Sequence, residues 1–118
     1  EEPRYGVEAI VGHTIYEETK VNLHVKWIDY PERTLVDECI IQQDCPAMLY
    51  RYWGSCGTRE KATGIESSFH PFRICDWRVK KKGKLELKVH WVGYPPRKST
   101  WEPASSVEES AKEIHKRY

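Results

Sequence analysis

Two aromatic pairs stand beside turns in this chain of 118 residues, which carries five Trp and seven Tyr. Trp27 with Tyr30 and Trp91 with Tyr94 share one spacing, each pair lying across a turn. Alternation puts both tryptophans on the apolar face of an extended stretch, so by that pattern alone they belong to a core. The run Lys80-Lys81-Lys82-Gly83-Lys84, with Arg78, Arg97 and Lys98, has the composition of a sequence-blind phosphate contact. It equally has the composition of a solvated hairpin tip.

Other chemistries lack their residues. His13, His24, His70, His90 and His115 show neither metal nor catalytic spacing, and there is no glycine-rich phosphate loop. Cys39, Cys45, Cys56 and Cys75 form no Cys-x-x-Cys pair, which argues against a structural zinc site. Free thiols in a reducing compartment are expected, because intracellular disulfides are rare. Asp37-Glu38 reads as a turn and edge pair. The expectation is a non-enzymatic module with no cofactor and no metal.

With Lys+Arg 19 against Asp+Glu 18, the net charge of +1 excludes a bulk polyanion binder, and any nucleic-acid surface must be local. No apolar run approaches the ~18 residues of a membrane span. No signal pattern opens the chain, and Glu1-Glu2-Pro3-Arg4 reads as mid-domain, as in a piece of a larger protein.

The elements that must position the aromatics follow from alternation and punctuation. Val7 to Thr14, Val21 to Ile28 and Leu35 to Ile41 read as strands, followed by a helix from Pro46 with Met48, Leu49, Tyr52 and Trp53 on its apolar face. Residues 55–68 are polar, glycine-bearing and aperiodic, and read as a linker. Phe72 to Val79, Leu85 to Val92 and the stretch around Thr100-Trp101-Glu102 form a second set of strands, with Trp101 in the core. Ser105-x-x-Glu108 and Ser106-x-x-Glu109 are capping boxes for a closing helix, whose apolar face is Val107, Ala111, Ile114, His115 and Tyr118.

The chain repeats itself. At an offset of 64, Val21, Leu23, Val25, Trp27, Tyr30 and Pro31 underlie Leu85, Leu87, Val89, Trp91, Tyr94 and Pro95, and Glu38 underlies Glu102 without a gap. The expected fold is α+β, mostly β: two units, 1–54 and 69–118, each a three-stranded antiparallel sheet packed by a C-terminal helix.

Leu-Lys-Val-His-Trp91-Val-Gly-Tyr94-Pro followed by Thr-Trp101-Glu102-Pro103 and an amphipathic helix closely resembles the chromodomain, over Phe69 to Tyr118. Tyr5 to Trp53 is similar but divergent, keeping Val25-Lys26-Trp27-Ile28-Asp29-Tyr30-Pro31 and lacking Thr-Trp-Glu-Pro. The resemblance implies tandem chromodomains that read a methylated lysine in a histone tail. The peptide adds as a β-strand and an aromatic cage holds the methylammonium. Carried over by position, it implies a cage of Tyr5, Trp27 and Tyr30 in the first unit, with Val7, Glu38 and Asp44 along the peptide groove. In the second it implies a cage of Phe69, Trp91 and Tyr94, with Glu102 and Glu108 along the groove. Lys98 stands where such domains often carry an acidic residue beside the cage, which makes the first pocket the better one. Nuclear, chromatin-associated localisation and other chromatin proteins as partners follow from the same resemblance.

Two alternatives remain open at this level. The first unit also resembles the chromo-shadow variant, a dimerisation and partner-peptide scaffold, through Ile10-Val11-Gly12 and the helix Met48 to Trp53. Weak, salt-sensitive nucleic-acid binding through Lys80, Lys81, Lys82 and Lys84 is the other.

Overall fold

A computed structural model describes residues 6–66 and 69–107. Two compact units divide it, Glu1–Ser68 and Phe69–Tyr118. The fold is α+β and mostly β, with one three-stranded antiparallel sheet per unit.

In the first unit β1 (Val7–Tyr16), β2 (Lys20–Trp27) and β3 (Tyr30–Asp37) lie in the order β1-β2-β3. The central strand buries every second residue, Val21, Leu23 and Val25, as its alternation requires. Three helices close over that face: α1 (Glu38–Asp44), α2 (Pro46–Ser55) and α3 (Arg59–Thr63). Ile41, Leu49, Trp53 and Ile65 complete the core. His13 ties β1 to two of these helices. Its Nε2–H donates to the Ala62 carbonyl at 3.2 Å, and its Nδ1 accepts from the Tyr52 hydroxyl at 2.6 Å. Burial, with Cys56 close by, pushes that hydroxyl up to about 12.

Two expectations for this unit are corrected. The third strand does not run from Leu35 to Ile41. It ends at Asp37, whose carboxylate accepts the Cys39 N–H at 2.8 Å and starts α1 there. Nor are residues 55–68 a structureless linker. Thr58 caps α3 through the Lys61 N–H at 3.1 Å, and α3 buries Arg59 while Ile65 enters the core. This stretch also carries Arg59, whose guanidinium pairs with the buried charge of Glu38.

The second unit holds β4 (Pro71–Val79), β5 (Leu85–Trp91) and β6 (Thr100–Pro103), in that spatial order. Pro71 is the first residue of the edge strand β4, where a missing N–H is tolerated. A 3-10 turn, Lys81–Gly83, closes the basic hairpin, and another, Pro96–Lys98, leads into β6. Trp101 is only half-buried, with the Arg78 guanidinium 4.1 Å above its ring, so it is a stacked surface residue and not core. Residues 104–107, which include Ser105 and Ser106, are helical, with Val107 buried. The rest of the expected closing helix, including Glu108, Ala111, Ile114, His115 and Tyr118, lies outside the described residues.

The internal repeat extends to hydrogen-bond register. Val7↔Trp27, Ile10↔Val25, His13↔Leu23 and Ile15↔Val21 are matched at an offset of 64 by Pro71↔Trp91, Ile74↔Val89, Trp77↔Leu87 and Val79↔Leu85. Both irregularities coincide too, between Val7 and Ala9 and between Pro71 and Arg73, then between Ile10 and Gly12 and between Ile74 and Asp76. The third strands break the gapless alignment. Val25 pairs with Thr34 and Val89 with Thr100, an offset of 66. The first unit turns through Ile28-Asp29 alone, with Asp29 at φ 59°, whereas the second spends two extra residues on its 3-10 turn. Glu102 therefore matches Val36, and Glu38 does not occupy its position.

Candidate functional site

Phe69 reaches both Trp91 and Tyr94 at one end of the second sheet. Phe69 lies 6.2 Å from Trp91 between ring centroids at 59°, and 5.8 Å from Tyr94 at 72°. It remains 39% exposed, so the cluster opens to solvent rather than closing into a core. Each wall is held by an identifiable contact. The His70 carbonyl accepts the Val92 N–H at 2.8 Å, which pins the segment carrying Phe69 beside the end of β5. The Trp91 indole N–H donates to the Thr100 hydroxyl at 2.8 Å, fixing the ring plane. Gly93 takes φ 89° in the turn, a conformation that a side chain would strain, and brings Tyr94 back towards the sheet.

His90 secures that turn from beneath. It is 8% exposed, its Nε2–H donates to the Tyr94 carbonyl at 2.7 Å, and Phe72 packs edge-on at 5.2 Å. Burial holds its pKa below the ordinary 6.5. The unfolded chain therefore takes up a proton near that value while the folded unit resists. His90 contributes its full stability above pH 6.5, and the contribution falls as pH drops towards the folded pKa. Unfolding midpoints measured from pH 7 downward should decline less steeply in His90→Gln, which keeps a donor for Tyr94 and removes the titration.

In the first unit Trp27 is half-buried at the end of β2, directly opposite Tyr30 across the turn. Its indole N–H donates to the Thr34 hydroxyl at 2.7 Å, the same device as Trp91 with Thr100. The Ile28 N–H donates to the Gly6 carbonyl at 2.8 Å, matching Val92 with His70. Tyr5, the third expected cage residue, lies outside the described residues. Val7 is half-buried opposite Trp27, and Asp44 is exposed at the end of α1.

Glu38 is not a groove residue. It is 1% exposed, with Oε2 accepting from the Trp53 indole at 2.8 Å and from Arg59 Nε at 2.9 Å. Its Oε1 accepts from Arg59 Nη2 at 2.8 Å. Glu38 and Arg59 form a bidentate buried pair inside the first unit, and nothing local in sequence marks residues 21 apart as partners. Glu102 is half-buried on β6 opposite Leu87, and Glu108 lies outside the described residues. The hairpin lysines Lys80, Lys81, Lys82 and Lys84 are all exposed, as is Lys98.

Among the described residues no group of three or more His, Cys, Asp or Glu is placed to hold a metal ion, and the four cysteines are free thiols. No described helix is long and apolar enough to cross a membrane.

Residues 69–118 match the family model of the Chromo (CHRromatin Organisation MOdifier) domain, from the first residue of the second unit to its last. No curated protein matches the chain. The family match supports a chromodomain in this half, a type of binding module that is typically non-enzymatic and associates with histone tails and chromatin proteins. A chromatin-associated, nuclear role in general goes with it.

Proposed function

We propose that the chain is a chromatin reader whose second unit binds a methylated lysine of a histone tail through Phe69, Trp91 and Tyr94. The observation that carries this reading is the meeting of Phe69 with both Trp91 and Tyr94 at a corner where Phe69 stays open to solvent. Methylation keeps the ammonium charge and strips its hydrogen-bond donors, so aromatic faces hold it better than a lone carboxylate does. The extended peptide would lie against the sheet as an added strand, main-chain pairing giving affinity and the ring corner giving selectivity. Lys98, exposed in the turn after Tyr94, opposes a cationic ligand and makes the expected affinity modest.

The shared register, the shared bulges and the threonine-held indoles favour a second, divergent copy of the same fold in the first unit. Its cage would be Trp27 and Tyr30 with Tyr5. A chromo-shadow-like scaffold is less favoured, because α2 turns Leu49 and Trp53 into its own core. Isothermal titration with histone-tail peptides tests the reading directly. A trimethylated peptide should bind at least about tenfold more tightly than its unmodified counterpart, the gain of a partly desolvated cation–π contact. Equal affinities would sink it.

A further inference from the structure

The two units differ sharply in charge. Unit 1 carries seven Lys/Arg against twelve Asp/Glu, net −5, whereas unit 2 carries twelve against six, net +6. Among the described residues the excess gathers at the β4–β5 hairpin, where Lys80, Lys81, Lys82 and Lys84 are all exposed. The nearest acid, Glu86, is already engaged by Arg78 at 2.7 Å and Lys80 at 3.6 Å. Beside this tip stands Trp77, 66% exposed and the most exposed of the large apolar residues described. It pairs with Leu87, two residues from the last ladder pair, Val79↔Leu85, so its backbone lies about 7 Å along the strand from that pair, beyond which the lysine turn begins. Alternation puts Trp77 on the opposite face from Arg78, whose guanidinium is committed to Glu86 and the Trp101 ring. By the same alternation Lys80 and Lys84 share Arg78's face, so a strand that stacks on Trp77 and touches the lysines crosses the hairpin tip, with a stacking platform on one side and a phosphate track on the other.

We infer that the β4–β5 hairpin binds single-stranded nucleic acid, with Lys80, Lys81, Lys82 and Lys84 on phosphates and Trp77 stacked on an unpaired base. The hairpin tip lies at the opposite end of the β4–β5 ladder from Trp91, and its binding is independent of methyl-lysine binding. A duplex presents phosphates without an accessible base face, so it would use the lysines alone. Contacts are sequence-blind, since stacking and charge do not distinguish bases.

Fluorescence anisotropy of the whole chain with labelled single-stranded and duplex 20-mers tests this. Four phosphate contacts to a single strand give a salt slope near −2.8, so affinity should fall roughly 50-fold between 50 and 200 mM salt. Replacing the four lysines with Ala should abolish binding at 200 mM and flatten that slope. Trp77→Ala should weaken single-strand binding roughly tenfold and spare the duplex, while Trp77→Phe, which keeps a ring, should retain most of it. Thermal melting of each variant separates lost binding from lost fold. Single-strand binding unchanged in Trp77→Ala, or no binding at 50 mM salt, would overturn the proposal. So would capture by phosphatidylserine vesicles without oligonucleotide binding, which would reassign the hairpin to a lipid surface.

Discussion

Trp91→Ala is expected to erase the preference for a methylated peptide, while Trp27→Ala leaves most of it intact. The Trp91 ring is oriented by its hydrogen bond to Thr100, and it packs against Phe69. Its loss removes one wall and frees Phe69 to collapse inward. A partly desolvated cation–π contact is worth about 1.4 kcal/mol, so discrimination between trimethylated and unmodified peptide should shrink by about tenfold. Binding of the unmodified peptide should change little, because strand addition draws on main-chain groups. Trp91→Phe, which keeps a face but loses the bond to Thr100, should fall between the two. Calorimetry on the variants against one peptide pair provides the check. If Trp27→Ala alone removes discrimination, the first unit is the reader and the corner at Phe69 is structural.

The largest stability effect is expected at Glu38 and Arg59. Removing either side chain leaves the other charge buried and unpaired, which costs about 3–5 kcal/mol. That approaches the whole stability of a small unit, so Arg59→Ala should leave the first unit largely unfolded at room temperature. Glu38→Met combined with Arg59→Met should recover part of the loss, because two apolar side chains of similar length carry no ionic desolvation penalty, while the Trp53 indole N–H loses its acceptor. Urea unfolding followed by Trp fluorescence distinguishes the cases. A stable Arg59→Ala protein would mean that water reaches Glu38 in solution.

The strands were legible because their central members alternate without interruption. Val21, Leu23 and Val25 announce β2, and Leu87, Val89 and Trp91 announce β5. Pro46 marks the start of α2 for a reason local to the backbone. The third strands were misaligned because Glu38 and Glu102 coincide at an offset of 64, while the threonines that pair equivalently, Thr34 and Thr100, lie 66 apart. A two-residue difference in a turn leaves no mark on either flanking pattern. Arg59 was hidden for another reason. Its stretch is polar and short, and its partner lies in a different element, so only the folded chain reveals that the charge is interior. Phe69, Trp91 and Tyr94 were named by the family resemblance and not by spacing, and in the first unit two of the three residues it names, Trp27 and Tyr30, fall within the described residues.

The bond between Glu38 and Arg59 also sets a condition on how the protein is born. A ribosome delivers the three strands and α1 first, and at that point Glu38 faces the forming interior with no cation to meet it. The first unit can close only after Arg59 and Ile65 have emerged from the exit tunnel. A nascent chain paused before them would hold its sheet open, with Val21, Leu23 and Val25 within reach of a chaperone.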